Sequence, residues 1–478
     1  MAADRLPKQS EDFPAWYVEV VKRAGMAEHS LVKGTMVIKP HGFAIWEHVQ
    51  RAMDDRFKAT GHENVYFPLL FPMKLLEKEA EHVEGFAPEV AVVTHAGGQK
   101  LEEPLVIRPT SEAIMWSTYS KWVQSYRDLP LLYNQWCNVL RWEMRTRLFL
   151  RTSEFLWQEG HTVHATSEEA VEETQRMLGV YREVAEDVLA IPVLAGRKSA
   201  AERFPGANET LSIEGLMRDG KALQSGTSHF LGQNFAKAYD VQFLGPDGEK
   251  QYAWGTSWGV STRIVGAIIM THGDDRGLRL PPTVAPVQVV IVPIYKSDDE
   301  QSSVLGAANK LRDEMAGNGV RVKVDDRDQY RPGYKFSEWE LKGVPLRIEI
   351  GPKDVAAGQV VVADRVTGDK TPRPIGEVGL EIASLLEASQ KALWEDALAF
   401  RETNTHQAES YDELREGIEA EGGFWIGPWC GDVECEKKVT ADTKATIRVL
   451  PLEQEDPGGA CTVCGKPGVE RATWGRAY

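Results

Sequence analysis

Cysteine is scarce in this sequence: five of its 478 residues are Cys, and four of those five fall at or after position 430. So few cysteines exclude a disulfide-stapled scaffold and are typical of a protein from a reducing compartment. Their crowding in one part of the chain favours a metal site over scattered free thiols. We therefore expect a cytoplasmic protein that binds a metal ion.

Long apolar runs are absent as well. No stretch approaches the 18 or so unbroken apolar residues expected of a membrane-spanning helix. The first residues, MAADRLPKQSEDF, also lack the apolar centre of a signal peptide. The sequence therefore predicts neither a membrane span nor secretion.

Basic residues are outnumbered, since 55 Lys and Arg face 71 Asp and Glu and leave a net charge of −16. A chain this acidic is unsuited to coating nucleic acids non-specifically, although a local basic face can still bind them. Apolar material, by contrast, is plentiful. Hydrophobic residues make up 42% of the chain, which is enough for several cores.

The chain is long enough for about three domains of roughly 150 residues each. A Pro-rich segment, PPTVAP, at 281–286 marks a change of composition, after which strand and helix patterns alternate. The alternation ends in a long helix predicted over 376–402. We predict a first domain over 1–283, a small α/β domain with a partly parallel sheet over 284–402, and a third unit over 403–478.

The first domain contains clear local patterns. Apolar residues at three- and four-residue spacings predict a helix over 42–60, and ENVYFPLLFP at 63–72 predicts a strand that leaves it. Apolar segments flank an Arg-rich connection within 133–162, which predicts two antiparallel strands. A further helix is predicted over 167–190, where Pro192 ends it. The apolar positions of the first helix are Trp46, Val49, Met53 and Phe57.

The late cysteines form two short-spaced pairs, C-x4-C and C-x2-C, with 25 residues between them. Two such pairs fit the tetrahedral four-thiolate geometry of structural zinc, which leaves no open position for catalysis. A redox-active thiol pair is the competing interpretation. Cys137, on a predicted strand, is expected to be an ordinary buried cysteine. The predicted zinc ligands are Cys430, Cys435, Cys461 and Cys464.

Arginines and carboxylates cluster between the two predicted antiparallel strands, where Arg141 and Glu143 are followed by Arg145, Arg147 and Arg151. A guanidinium fork suits a phosphate whose charge grows during a reaction, although a single arginine is more often an ion-paired surface residue. Further segments rich in hydroxyl, His, Gly or charged residues favour a functional site over ordinary loops. They are RPTSE (108–112), WQEGH (157–161), SGTSH (225–229) and TSWGVSTR (256–263).

One nucleotide-binding motif fails on inspection. GLMRDGKA at 215–222 has the spacing of a P-loop, but Ala222 stands where that loop needs Ser or Thr to bind magnesium. The preceding residues do not form a convincing strand pattern. The sequence also has no convincing G-x-G-x-x-G for a dinucleotide.

Taken in order, these residues resemble the class II aminoacyl-tRNA synthetases, and specifically the prolyl-tRNA synthetases of the type shared by archaea, eukaryotes and some bacteria. The helix from Gly42 and the strand after it, ending in Pro68, resemble motif 1. VLRWEMRTRLFLRTSEFLWQEGH (139–161) resembles motif 2, and SWGVSTRIVGAIIMTHGD (257–274) resembles motif 3. RPGYKFSEWELKGVP (331–345) resembles the anticodon-binding segment, and the likeness continues through the cysteine pairs to Tyr478.

The resemblance implies an α+β catalytic domain on an antiparallel sheet flanked by helices, an α/β anticodon-binding domain and a small zinc-binding domain. It implies a homodimer across motif 1, and a Tyr478 that reaches back toward the active site. It also implies a two-step reaction. Proline and ATP give prolyl-adenylate and pyrophosphate, and the prolyl group then passes to tRNA(Pro) with release of AMP. Catalysis would be positioning and charge stabilisation, with Mg²⁺ on the triphosphate.

The resemblance assigns residues to the proline site. Glu112, beside Thr110, suits the secondary ammonium of proline when that group is desolvated. From the residues alone, His161 and His229 could equally be structural histidines. The ring pocket is expected to be lined by Trp157, His161 and His229.

The resemblance also assigns residues to ATP. Arg141 is expected to grip the α-phosphate together with the proline carboxylate, Glu143 to position the adenine, and Arg263 to hold the far phosphates. Further ATP contacts are expected from Arg151, Thr152, Gln224, Thr227 and Ser261.

The tRNA side has a local electrostatic basis, because residues 321–353 hold eight Lys or Arg against six Asp or Glu. Glu340 and Lys353 are expected to read anticodon bases, since a carboxylate and an ammonium can contact guanine edges, and Arg347 is the next candidate. A solvated helix face is the alternative for each of these residues.

Alternative functions are a related ligase for another amino acid, with threonine the closest, and a regulatory paralogue that has lost activation. SWGVSTR and the four cysteines favour proline, and the intact charged residues favour an active enzyme.

Motifs 2 and 3 leave no room for the large hydrolytic insertion of many bacterial prolyl enzymes. A missing methylene supplies only about 1–3 kcal/mol of discrimination. We therefore expect slow activation of alanine or cysteine without clearance in cis, and a separate trans-editing factor.

Overall fold

The structure is a computed structural model that describes residues 6–80, 90–453 and 456–478, with the backbone alone for 77–80. No helix in these ranges combines the length and apolar character needed to cross a membrane. A 3-10 turn covers Tyr126–Asp128, and a π-helical turn covers Val184–Val188. The α-helices are α1 (Phe13–Arg23), α2 (Pro40–Ala59), α3 (Met73–Ala80), α4 (Glu112–Trp122), α5 (Ser167–Glu183), α6 (Asn234–Tyr239), α7 (Arg263–His272), α8 (Asp298–Gly317), α9 (Pro332–Leu341), α10 (Pro352–Ala357), α11 (Ile375–Thr403), α12 (Tyr411–Ala420) and α13 (Val433–Thr443).

The strands form several sheets, of which one dominates. They are β1 (Ala27–His29), β2 (Met36–Ile38), β3 (Glu63–Asn64), β4 (Leu70–Pro72), β5 (Ala91–Ala96), β6 (Gln99–Ile107), β7 (Leu131–Leu140), β8 (Glu154–His164), β9 (Val193–Arg197), β10 (Glu209–Leu216), β11 (Ala222–Gly232), β12 (Gln242–Leu244), β13 (Lys250–Tyr252), β14 (Trp254–Ser261), β15 (Val289–Pro293), β16 (Val322–Val324), β17 (Leu346–Ile350), β18 (Gln359–Asp364), β19 (Lys370–Pro374), β20 (Thr405–Gln407), β21 (Phe424–Trp429), β22 (Ala445–Pro451) and β23 (Glu470–Arg476).

The dominant sheet has the strand order β20-β21-β23-β22-β9-β10-β11-β14-β8-β7-β3. Its neighbours are antiparallel from β21 to β7, and a parallel pair closes each edge. The antiparallel catalytic sheet expected from the sequence is therefore confirmed. The strands after residue 404 extend this same sheet through the pairing of β22 with β9, which the sequence analysis did not foresee.

Helices cover this sheet because its strands carry apolar side chains on the face turned away from the polar segments. Trp258 and Val260 of β14 and Leu211 and Ile213 of β10 share one core with residues of α1, α2, α5 and α7. A second core lies among α4, α6 and the strands beside them. The helix predicted over 42–60 is confirmed as α2. Its predicted apolar positions, Trp46, Val49, Met53 and Phe57, are all buried.

The predicted strand pair within 133–162 is also confirmed, because β7 and β8 are antiparallel with Cys137 opposite Trp157. The predicted single strand over 63–72 is wrong in its centre. β3 joins the dominant sheet, while β4 joins a separate sheet beside β6. Pro68 lies between them, and a proline offers no N–H to a strand ladder. The chain changes sheets at that point.

The residues after the Pro-rich segment form a sheet in the order β16-β15-β17-β18-β19. Its first three strands are parallel and the remaining pairs antiparallel, which confirms the partly parallel α/β arrangement. The structure also agrees with the prediction that GLMRDGKA is not a P-loop. GLMRDGKA spans the turn between β10 and β11, where Gly220 has φ +74°, and no helix follows it.

We expect Gly160→Ala to destabilise the protein by about 2 kcal/mol, because a Cβ on this buried strand residue would overlap the indole of Trp258. Gly179→Ala is the matched control. It lies in the exposed part of α5 with nothing within 4 Å of the added carbon, so it should be neutral or stabilising by up to about 1 kcal/mol. Urea unfolding measures both changes. Equal midpoints for Gly160→Ala and the parent protein would contradict the packing described here.

Candidate active site

A cavity of about 310 Å³ opens on the face of the dominant sheet opposite the α5 side. Successive side chains of a strand point to opposite faces, so residues two apart in β8 face the same way. Four such residues, Phe155, Trp157, Glu159 and His161, line the cavity. Strands β10, β11 and β14, the starts of α4 and α7, the residue after β7 and the loop between β9 and β10 supply the other walls.

Glu159 is the most heavily hydrogen-bonded group of the cavity, although its side chain is almost entirely buried. One of its carboxylate oxygens accepts from the backbone N–H of Ser111 at 3.0 Å and lies 3.0 Å from Nε2 of His161. The other accepts from the Ser111 hydroxyl and, at 3.1 Å, from the amide of Gln135. These bonds tie the start of α4 to β7 and β8.

Glu159 and His161 form a buried ion pair. Burial by itself raises the pKa of Glu159, but the hydrogen bond and charge of His161 and the donors of Ser111 outweigh it and lower that pKa below its ordinary value. Burial lowers the pKa of His161, but the charges of Glu112 and Glu159 outweigh burial and raise it. His161 Nδ1 is buried and has no hydrogen-bond partner among the residues that the structure describes, so it can donate to a ligand.

Glu112 and His229 lie close to this pair. The Thr110 hydroxyl donates to the Glu112 carboxylate, and both residues are buried at the start of α4. Burial lowers the pKa of His229 to about 3, aided by the charge of His161, so its ring is neutral. Its Nδ1 lies 3.0 Å from the Thr210 hydroxyl, and the ring of Phe204 packs on it at 4.6 Å.

Arginines converge on the other part of the cavity. Arg141 lies directly after β7, where its Nε donates to the Pro109 carbonyl at 2.9 Å and its guanidinium lies 5.1 Å from the Trp157 ring. Arg263 opens α7, and its Nε donates to the Leu150 carbonyl at 3.2 Å. Burial lowers the pKa of Arg263, and the charges of Arg151 and Arg141 lower it further. Cations held this close together are suited to a polyanion.

Most of the residues predicted to bind proline or ATP meet in this one cavity. The three that do not line it are Glu143, Arg151 and Thr152. Arg151 pairs with Glu143 at 3.0 Å in the connection between β7 and β8. The hydroxyl of Thr152 donates to the Glu154 carbonyl at 2.8 Å. The predicted residues that do line the cavity are Thr110, Glu112, Arg141, Trp157, His161, Gln224, Thr227, His229, Ser261 and Arg263.

Glu159 and Phe204 line the cavity but were not among the predicted site residues. Glu159 had a usable signal, since period-two spacing places it on the same face as Trp157 and His161. Phe204 had none, because it lies in a loop without a motif and reaches the cavity through tertiary contacts. Tyr478 does not line the cavity as the structure describes it. Its ring lies 5.5 Å from the Arg147 guanidinium, and its hydroxyl donates to Asp219 at 2.6 Å.

Of the predicted anticodon residues, Glu340 and Arg347 line a second cavity of about 80 Å³ on the β15–β19 sheet. Glu340 accepts from Arg276 at 2.7 Å. Arg347 pairs with Glu349 at 2.9 Å, and its guanidinium lies 4.3 Å from the Phe336 ring. Lys353 is exposed in the first turn of α10 and is not among the residues lining this cavity.

The four late cysteines meet in one cluster. The sulfurs of Cys430 and Cys435 are 3.6 Å apart, as are those of Cys430 and Cys464, and all four sulfurs, including that of Cys461, lie within 4.8 Å of one another. A tetrahedral zinc ion with Zn–S bonds of about 2.3 Å places its sulfurs about 3.8 Å apart, so the cluster fits that ion. Cys137 lies elsewhere, half-buried beside Glu159 at 3.4 Å.

Three families match successive parts of the chain. Residues 93–272 match the tRNA synthetase class II core domain of the G, H, P, S and T enzymes, 288–385 match an anticodon binding domain, and 411–478 match the prolyl-tRNA synthetase C-terminal domain. A curated relative from Chloroflexus aurantiacus is 55% identical over 100% of both chains and is named proline–tRNA ligase. One from Amoebophilus asiaticus, with the same name, is 51% identical over 99% of both. The chain belongs to the prolyl-tRNA synthetases.

A solved structure of the prolyl-tRNA synthetase from Cryptosporidium parvum, complexed with halofuginone and AMPPNP, superposes with a TM-score of 0.95. It is 41% identical and covers 99% of each chain. The chain therefore has the class II catalytic core and anticodon-binding domain, and it attaches proline to tRNA(Pro) at the expense of ATP. The alternatives of a threonine enzyme and of an inactive paralogue are set aside by these full-length relatives.

We expect Glu159→Gln to destabilise the protein by roughly 3 kcal/mol at pH 6 and by less at pH 9. The raised pKa of His161 stabilises the fold fully below its ordinary value of about 6.5, and this contribution is lost as the pH rises through the raised value. The lowered pKa of Glu159 stabilises the fold above its ordinary value of about 4.5. The ion pair therefore contributes most between about pH 4.5 and 6.5.

Urea unfolding at the two pH values measures this difference. Glu154→Gln is the matched control, because Glu154 is an exposed residue of the same strand. It should change the free energy of unfolding by no more than about 0.5 kcal/mol at either pH. A loss for Glu159→Gln that is the same at pH 6 and pH 9 would show that no ion pair exists.

Proposed function

We propose that the 310 Å³ cavity joins proline to ATP, with proline beside Glu112 and His161, the triphosphate beside Arg263, and Arg141 between them. The position of Arg141 carries this assignment. Its Nε donates to the carbonyl of Pro109, the residue before Thr110, which fixes Arg141 beside the proline site. Its positive charge also lowers the pKa of Arg263, on the ATP side. A guanidinium so placed can bind the proline carboxylate and the α-phosphate as the acyl phosphate forms between them.

The charges beside proline support this orientation. The carboxylate of Glu159 is balanced by His161, so the carboxylate of Glu112 remains to pair with the secondary ammonium of proline. Neutral His229, Phe204 and Trp157 offer apolar surface to the ring. We favour this assignment over a metal site formed by Glu112, Glu159 and His161, because the raised pKa of His161 favours its protonated form, which cannot bind a metal ion.

We assign the nucleotide to the arginine side of the cavity, where Gln224, Thr227 and Ser261 offer polar contacts. Arg263 would hold the far phosphates. Glu143, kept in place by Arg151, would position the adenine, and Thr152 would lie beside it. Mg²⁺ bound to the triphosphate would neutralise part of its charge. The AMPPNP named for the Cryptosporidium structure supports a nucleotide site in this fold.

Arg141→Ala should lower proline-dependent ATP–pyrophosphate exchange by at least about 100-fold, because it removes a positive charge that the adenylation transition state needs. The melting temperature should stay within about 2 °C of that of the parent protein. Arg145→Ala is the control, since Arg145 is an exposed arginine of the same connection. Nearly unaltered exchange by Arg141→Ala in a folded protein would overturn the assignment of this residue.

We propose that Cys430, Cys435, Cys461 and Cys464 bind one structural zinc ion, and that the chain is of the archaeal and eukaryotic-like type. The sulfur separations near 3.6 Å support the ion, and the match to the prolyl-tRNA synthetase C-terminal domain supports the type. The backbone N–H of Lys466 contributes most to lowering the pKa of Cys464 to about 7, which favours the thiolate that zinc requires. The ion would hold three chain segments together and leave no position for a substrate.

Cys464→Ser should lower the zinc content from about one ion per chain to near zero and should lower the melting temperature by several degrees. Cys137→Ser is the control, because Cys137 lies beside Glu159 and outside the cluster. Elemental analysis and thermal melting measure both effects. A full complement of zinc in Cys464→Ser would exclude the four-thiolate site.

We propose a homodimer formed across motif 1. Its support is a set of exposed apolar side chains in α2 and in the segments before and after it in the sequence, which a partner could cover. They include Leu31, Val37, Phe43, Tyr66 and Leu70.

The absence of a hydrolytic insertion between motifs 2 and 3 further suggests that alanyl-tRNA made in error is cleared by a separate trans-editing factor.

We also propose that the chain is divided into domains over 1–283, 284–402 and 403–478. The second domain would bind the anticodon of the tRNA. Glu340 and Arg347 share one cavity there, and Phe336 offers a ring on which a base could stack. Lys353 would contact the RNA from the exposed start of α10. The cytoplasm, where tRNA is used, is the proposed location.

A further inference from the structure

The loop between β9 and β10, residues 198–208, forms one wall of the proposed proline pocket. It contributes Glu202, Arg203, Phe204 and Pro205 to the cavity. The backbone N–H of Phe204 donates to the Thr210 hydroxyl at 3.0 Å, and the Phe204 ring packs on His229 at 4.6 Å. The position of this loop therefore sets the width of the pocket around the amino acid.

The start of the loop is fixed by a buried charge cluster to which the C-terminal part of the chain contributes Arg448. Strand β22 pairs with β9 just before the loop, with Leu450 opposite Arg197. Arg448 of β22 donates to Glu214 at 3.0 Å, and Lys198 donates to Glu214 at 2.6 Å and to the Arg448 carbonyl at 2.9 Å. The side chains of these three charged residues are almost completely buried.

Two further contacts reach the loop itself. The Ser199 hydroxyl donates to the carboxylate of Glu436 at 2.7 Å, and both side chains are buried. Nη1 of Arg448 lies 3.8 Å from the carboxylate of Glu202, which lines the cavity. Glu436 follows Cys435 directly in α13, so the cysteine cluster and the pocket loop are joined through a single side chain.

We propose that Glu436 and Arg448 are positioning residues for amino-acid binding, which act on the pocket through Ser199, Glu202 and Phe204. The inference rests on the proposed location of proline in the cavity. Neither residue lines the cavity as the structure describes it, so their effect would be indirect. The effect of Glu436 would be selective for proline, because it reaches the cavity through Ser199 and the loop that holds Phe204. Arg448 would be less selective, since its charge also acts on Arg263 of the ATP side.

The test is Ser199→Ala, which removes one hydrogen bond between the loop and Glu436 and no cavity-lining group. Exchange kinetics should show the KM for proline raised about fivefold, which corresponds to about 1 kcal/mol, the usual net worth of one hydrogen bond. The KM for ATP, the zinc content and the melting temperature should change little. Ser199→Thr keeps a hydroxyl and should restore most of the proline affinity.

Two comparisons keep the inference falsifiable. Ser212→Ala is the matched control, because Ser212 is a buried serine of the adjacent strand β10 whose hydroxyl has no partner within the described residues. It should leave both KM values unchanged. Glu436→Gln combined with Ser199→Ala should raise the KM for proline no further than the more severe single change does, because both act through one hydrogen bond.

An unchanged KM for proline in Ser199→Ala, or equal increases for proline and ATP, would overturn the inference. So would an equal effect of Ser212→Ala. These outcomes are distinct from failure of the proposed function, which would appear as normal exchange by Arg141→Ala. If Arg141→Ala is inactive and Ser199→Ala binds proline normally, the proposed location of proline is supported. The coupling of the pocket to the C-terminal part of the chain is then refuted.

Discussion

The buried carboxylate of Glu159 is the group around which the cavity is organised. Withdrawing a charge from water costs several kcal/mol unless donors surround it. Here the donors come from the start of α4, from β7 and from β8, through Ser111, Gln135 and His161. Satisfying this one charge fixes the three segments relative to one another, and they carry Glu112, Arg141 and Trp157 into the cavity.

The long antiparallel sheet makes this arrangement rigid over a wide area. Its α5 face is largely apolar and packed by helices, with a few buried polar side chains such as Gln158 and Ser228 bonded to α5. The cavity face carries the charged residues of the proposed site. Because strand side chains alternate, one sequence supplies both faces without bending the backbone. The same sheet passes through β9 and β22 into the C-terminal strands. A segment far away in sequence thereby becomes a neighbour of the pocket loop.

Local patterns in the sequence predicted local structure well. Helix α2 and the strand pair β7 and β8 follow from apolar spacing alone, because periodicity depends only on neighbours along the chain. The break at Pro68 was readable in principle, since proline cannot donate to a ladder, but the exchange of sheets depends on β6, a partner more than 25 residues away. The pairing of β22 with β9 spans some 250 residues and leaves no local trace.

The family motifs predicted the site residues that lie within them. That these residues meet in one cavity depends on the tertiary structure. The motifs could not show that Glu143 is paired with Arg151 beside the cavity, or that Phe204 reaches His229 from a loop without a motif. Glu159 shows a third kind of gap. Its position was readable from alternation, but its importance depends on burial, which alternation does not measure.

The choice of arginine follows from the same desolvation that makes Glu159 costly. Burial lowers the pKa of Arg263, and it also lowers the pKa of Lys198, which is held by Glu214. The ordinary pKa of an arginine is so high that the side chain remains charged when burial lowers it, whereas a lysine loses its proton more readily. Guanidinium groups are therefore better suited than ammonium groups to hold phosphates in this buried site. In this way an acidic chain with a net charge of −16 keeps Arg141 and Arg263 charged in a cavity whose lining also holds Glu112, Glu159 and Glu202.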